Sequence, residues 1–86
     1  MHYLGNMKVQ DKEGNIWSIN GISFGNEEVW YLGNVIKLPK MISVSRSENP
    51  KWSDDGSSII TETYCTTFNY QEVKLDENNN IVDIKF

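Results

Sequence analysis

The run IITETYCTTFNYQEVKL, residues 59–75, constrains this chain more than any other segment. Its residues repeat with a period of two: Ile60, Tyr64 and Phe68 share one face with Glu62 and Thr66, while Ile59, Thr61, Thr63, Cys65 and Thr67 share the other. A helix would need apolar residues every three or four positions, so this run predicts a strand with one face mainly buried. No segment of the chain carries a helical period. Composition agrees: there is no alanine, and Val, Ile, Thr, Tyr, Phe and Trp supply 29 of 86 residues. The ten asparagines and six glycines provide turn formers.

Turn clusters divide the rest into short strands. MKVQ leads through DKEGN into IWSINGISF, an Asp-to-Gly-Asn connection that signals a hairpin. Gly21, inside the second of these runs, predicts a bulge or sharp bend. GNEE separates that run from VWYLG. Pro39 cannot donate to a ladder and divides VIKL from MISVS. A polar stretch, Arg46 to Ser58, reads as one long loop, and DENNN reads as the last turn. In IVDIKF, Val82, Ile84 and Phe86 alternate with charges as core residues would. The expectation is a single all-β domain over residues 1–86, an antiparallel meander of five to seven strands. An SH3-like, partly open barrel fits first, with an OB-like barrel or β-roll as alternatives.

A net charge of −4 disfavours a general nucleic-acid or anionic-membrane binder, which needs a basic face, and suits a protein partner with a basic surface. The single cysteine permits no internal disulfide, and no run has the length or flanks of a signal peptide or membrane span. A cytoplasmic setting follows as an expectation.

Catalytic material is sparse. The only histidine, His2, stands near the start, and Cys65 sits in mid-strand, so Cys65 reads as a buried structural residue. Asp54 and Asp55 lack the alternation of a calcium loop and read as a turn with Asp55-Gly56 at its tip. One Cys and one His exclude a structural zinc site. No metal, no cofactor and no enzymatic activity are expected. The alternative is a small-ligand- or nucleotide-binding barrel, with weak acid/base chemistry at Glu62 beside Tyr64 or Tyr70, where apolar neighbours would raise the Glu62 pKa; the favoured place for Glu62 is instead the rim, with a Lys or Arg opposite on the neighbouring strand.

The aromatic residues are the strongest functional signal. Trp17 and Trp30 lie on strands and are expected to fill the core, although VWYL places Trp30 and Tyr31 on opposite faces and so exposes one of them. Trp52 stands in the polar stretch with no strand of its own. It predicts either a lid on an open barrel end or a recognition residue, ringed by Arg46, Lys51, Asp54 and Asp55, with Trp30 as a further partner contact. The leading expectation is a non-enzymatic binding module. Its small size and AT-rich composition suit a phage or mobile-element inhibitor that docks on a host protein through an aromatic loop. A homodimer through an edge strand, such as the final one, is also expected.

Overall fold

In a computed structural model, residues 1–86 form nine strands and no helix. β1 (His2–Gly5), β2 (Lys8–Gln10), β3 (Ile16–Phe24), β6 (Lys40–Trp52) and β7 (Ile59–Asn69) make one antiparallel sheet in the order β1-β2-β3-β6-β7. β4 (Glu28–Tyr31) pairs only with β5 (Asn34–Lys37), and β8 (Glu72–Leu75) only with β9 (Ile81–Lys85). The strand count exceeds the expected five to seven, because the β4–β5 hairpin is inserted between two neighbours of the main sheet. That sheet never returns on itself. It is open, not a closed barrel.

Two hairpins turn through the same local chemistry. In DKEGN, the Asp11 carboxylate accepts the Glu13 and Asn15 backbone N–H groups at 3.0 and 2.8 Å, and also the Asn15 amide. In DENNN, Asp76 accepts the backbone N–H groups of Asn78 and Asn80 at 2.8 and 2.9 Å, and the Asn80 amide at 3.4 Å. The fourth residue of each turn needs a positive φ, supplied by Gly14 at 88° and Asn79 at 64°. Asp11 also accepts the indole N–H of Trp17 at 2.9 Å. These donors hold the Asp11 carboxyl down to about 2, the Trp17 bond contributing most.

The core comprises Val9, Trp17, Ile19, Ile42, Val44, Tyr70, Ile81 and Ile84. Cross-strand pairs Val9–Trp17, Ile19–Val44 and Ile22–Ile42 place one sheet face inward. The bend expected at Gly21 is a bulge: the register slips between Ile19 and Gly21, which keeps both Ile19 and Ile22 on the core side. β8–β9 lies over that face. The Tyr3 hydroxyl donates to the Ile81 carbonyl at 2.7 Å and fixes the hairpin to β1.

Several burial expectations are corrected. β9 slips register between its pairs with Lys74 and Leu75, leaving Val82 as the extra, exposed residue while Ile81 and Ile84 go inside. Strict alternation fails there because a bulge reverses its phase. β7 is exposed along nearly its whole length, with only Phe68 half-buried, edge-on to Trp17 at 5.7 Å. No second layer covers the rest of that strand. Cys65 is likewise exposed rather than buried.

The result is an extended molecule. Its radius of gyration is 16.1 Å, against about 12 Å for a compact domain of this length. Only nine residues are buried, while sixteen large apolar residues are exposed. Many large apolar side chains are therefore left uncovered by the fold.

Candidate functional site

Beyond Trp17, the inner sheet face loses its hydrophobic cover. Residues paired across strands point to the same side, so Arg46 with Tyr64, Glu48 with Glu62, and Lys51 with Ile60 continue the core row outward. The Arg46 guanidinium lies 4.8 Å from the Trp17 ring centre and 4.7 Å from that of Tyr64. It also pairs with Glu48 at 2.6 Å. Arg46 is thus stacked between two rings, closing the end of the core rather than standing free beside Trp52.

The polar stretch read as a long loop is mostly strand. β6 runs on to Trp52, and Lys51–Ile60 and Trp52–Ile59 are ladder pairs, leaving only residues 53–58 as the turn. Pro50 is accommodated because the register slips between Glu48 and Lys51 and demands no N–H from it. Trp52 therefore does have a strand. It is 67 % exposed at the tip of a two-stranded ribbon, bordering a shallow groove of about 160 Å³ with Pro50, Lys51 and Ile59. Lys51 and Trp52 point to opposite ribbon faces. Asp54 is exposed in the turn, while the Asp55 carboxylate accepts the Ser53 and Ser57 hydroxyls and the Ser57 N–H, bonds that bring its pKa down to about 2.

The most exposed aromatic is Trp30, 78 % accessible on β4. Both faces of the β4–β5 hairpin are apolar: Val29, Ile36 and Tyr31 share one, Trp30 and Val35 the other. All are exposed, and the backbone of neither strand comes within 8 Å of any other strand of the fold. This overturns the expectation that Trp30 fills the core and that only one of Trp30 and Tyr31 is exposed. The hairpin turns through Leu32 and Gly33 at φ 50° and 79°, the type I′ pattern that favours Asn-Gly. Leucine in a left-handed conformation is sterically costly, yet Leu32 occupies the tip and is 83 % exposed. At the base, the Leu38 N–H donates to the Glu27 carbonyl at 2.9 Å. The Glu27 carboxylate accepts the Phe24 N–H and the Ser23 hydroxyl, both at 3.0 Å, clamping the point of departure from the sheet.

Trp30 and Trp52 are not brought together. The hairpin leaves at the Lys40 end of β6, and Trp52 stands at the other end, twelve residues or about 40 Å along the strand. The signal that could have separated them was Pro39, which detaches the hairpin from β6.

The residues of the catalytic alternative are also dispersed. Glu62 is exposed and accepts the Tyr64 hydroxyl at 2.7 Å and the Asn49 amide at 3.2 Å. These bonds lower its pKa instead of raising it, and its cross-strand neighbour is Glu48 rather than a cation. Tyr70 lies eight residues, about 26 Å, beyond Glu62. It is buried and donates to the Ser23 carbonyl at 2.7 Å, and burial pushes its hydroxyl pKa up. It borders an open groove of about 690 Å³ with Phe24, Lys40, Val73 and Ile84, which does not include Glu62. His2 and Cys65 lie on the two outermost strands of the sheet, about 19 Å apart across four strand spacings. They form no nucleophile–base pair.

No protein-family model, curated protein or solved structure matches this chain.

Proposed function

We propose that the protein is a non-enzymatic binding module that docks on a protein partner through the β4–β5 hairpin. The observation carrying this reading is Leu32: a bulky apolar residue in a strained left-handed position at a solvent-facing tip, beside exposed Trp30 and Tyr31. Asparagine would relieve the backbone at no cost to the core. An aromatic pair flanking an apolar tip has the composition of an interface hot spot. The Trp52 tip provides a second, remote contact. The net charge of −4 favours a partner with a basic surface.

The mechanism is steric. The hairpin fills an apolar cleft and blocks whatever else uses it, as an inhibitor encoded by a phage or mobile element would. A cytoplasmic partner suits the reading, and an SH3-like ancestry for the open sheet is compatible with it.

The test is affinity capture from the native host with wild type, Trp30→Ser and Trp52→Ala chains, followed by titration of the captured protein. Trp30→Ser should weaken binding by about thirtyfold or more, the loss expected at a hot spot, with the thermal midpoint unchanged. Wild-type affinity in Trp30→Ser would remove the hairpin from the interface.

A further inference from the structure

The two edges of the main sheet are built differently. β1 is four residues long and carries a register shift between Tyr3 and Gly5, features that blunt an edge. β7 has eleven residues, with no proline, glycine, lysine or arginine, and its only charge is Glu62. Its outer N–H and C=O groups meet no other strand. The final strand is shorter, five residues with a register slip at Val82, and lies against β1, whose Tyr3 hydroxyl donates to Ile81.

We propose that β7 pairs antiparallel with β7 of a second copy, about a two-fold axis at Tyr64, to give a continuous ten-stranded sheet. Side-chain chemistry selects this register. About Tyr64, Ile60 faces Phe68, Thr61 faces Thr67, Thr63 faces Cys65, and Glu62 faces Thr66, whose hydroxyl can donate to it. Apolar, aromatic and threonine pairs of this kind stabilise antiparallel neighbours. Centring on Glu62 would oppose two carboxylates. Centring on Thr63 or Cys65 sets Ile60 against Thr66 or Glu62 against Phe68.

The fold also says why a second copy fits better than an unrelated strand. β3 backs β6 only from Lys40 to Ser45, so the ribbon carrying Ile59–Tyr64 stands two strands wide. Such a ribbon is marginal alone in water. The Tyr64 register lays against it residues 64–69 of the second copy, the half of β7 that β6 and β3 support. Each copy supplies the backing that the other lacks. This pairing is independent of the hairpin and holds whether or not the hairpin binds a partner.

Sedimentation equilibrium between about 1 and 100 µM tests the assembly. Wild type should approach twice the 9.9 kDa chain mass. Thr61→Lys with Thr67→Lys places like charges opposite each other twice and should yield monomers. Thr61→Lys with Thr67→Glu converts both contacts to opposite charges and should restore the dimer. Both sites are exposed on the outer sheet face, and circular dichroism of each variant monitors the fold. A monomeric wild type across that range, a double-lysine variant of wild-type mass, or a folded charge-swapped variant that stays monomeric would each overturn the Tyr64-centred dimer.

Discussion

The β4–β5 and β8–β9 hairpins are alike in size, and neither shares a ladder with the main sheet, yet one is core and the other is not. β8–β9 buries Ile81 and Ile84 and sets Val73 against the same cluster. The strands of β4–β5 carry as many apolar side chains and bury none. The difference lies in distribution. The Val82 bulge gathers the inward apolar residues of β8–β9 on one face, whereas Trp30/Val35 and Val29/Ile36 occupy both faces of β4–β5. No orientation of β4–β5 on a single sheet could cover both. A two-sided apolar hairpin is therefore left for a cleft rather than a layer.

The largest expected contrast is in amide exchange. Amides of Ile42 and Val44, in the centre of the sheet, should open only on global unfolding, while those of Val29, Trp30 and Val35 should exchange near the rate of a free hairpin. Equal protection in the two sets would break the comparison. Next in size, Ile84→Ala should cost about 3 kcal/mol in urea unfolding, the usual range for a buried isoleucine, and Ile36→Ala about 0.5 kcal/mol or less. Similar losses at both sites would mean that β4–β5 is packed.

Acid should separate the hairpins by another route. Hydrogen bonds hold Asp76 below its ordinary pKa and Asp11 at about 2, so the unfolded chain takes up protons first as pH falls. The stabilisation is complete above the ordinary aspartate range near pH 4 and is lost as pH falls towards about 2. The β8–β9 and β2–β3 turns should loosen over that window. The Leu32–Gly33 turn uses no carboxylate and should not respond, and in β4–β5 only the base should loosen, where bonds from the Phe24 N–H and the Ser23 hydroxyl hold Glu27 below its ordinary range. Asp76→Asn and Asp11→Asn should flatten the acid limb of the thermal midpoint, and an unchanged limb would discount the turn carboxylates. The smallest effect is expected at Leu32→Asn, which should relieve the left-handed tip with no loss of midpoint, while weakening capture of the partner.

Local chemistry was legible in the sequence, and long-range burial was not. DKEGN announced its hairpin through Asp11 and Gly14, and Gly21 announced a bulge, because both effects act within a few residues. Trp17 and Trp30 look alike in sequence. Trp17 goes inside because Asp11 receives its indole and Arg46 stacks on its ring, and the Arg46 contact comes from 29 residues away. The alternation of β7 correctly signalled a strand, but its burial depends on a covering layer, which only Phe68 meets. Trp52 looked stranded in a loop because its ladder partner, Ile59, lies across the Ser53–Ser58 turn. As for sites, Trp52 was identifiable as a candidate contact from its polar surroundings, whereas Trp30 was expected in the core and its exposure shows only in the structure. The tip role of Leu32 was not identifiable, since only its backbone conformation reveals it.

Excision of the hairpin tests the central claim most directly. The Glu27 carbonyl and Leu38 N–H already meet at 2.9 Å, so an Asn-Gly turn can replace residues 28–37 without moving the sheet. If β4–β5 is a docking arm outside the core, the shortened chain should unfold in one cooperative transition, with its midpoint within about 3 °C of wild type. Loss of the cooperative transition, or a midpoint lower by ten degrees or more, would show that the hairpin holds the fold together and would contradict the account.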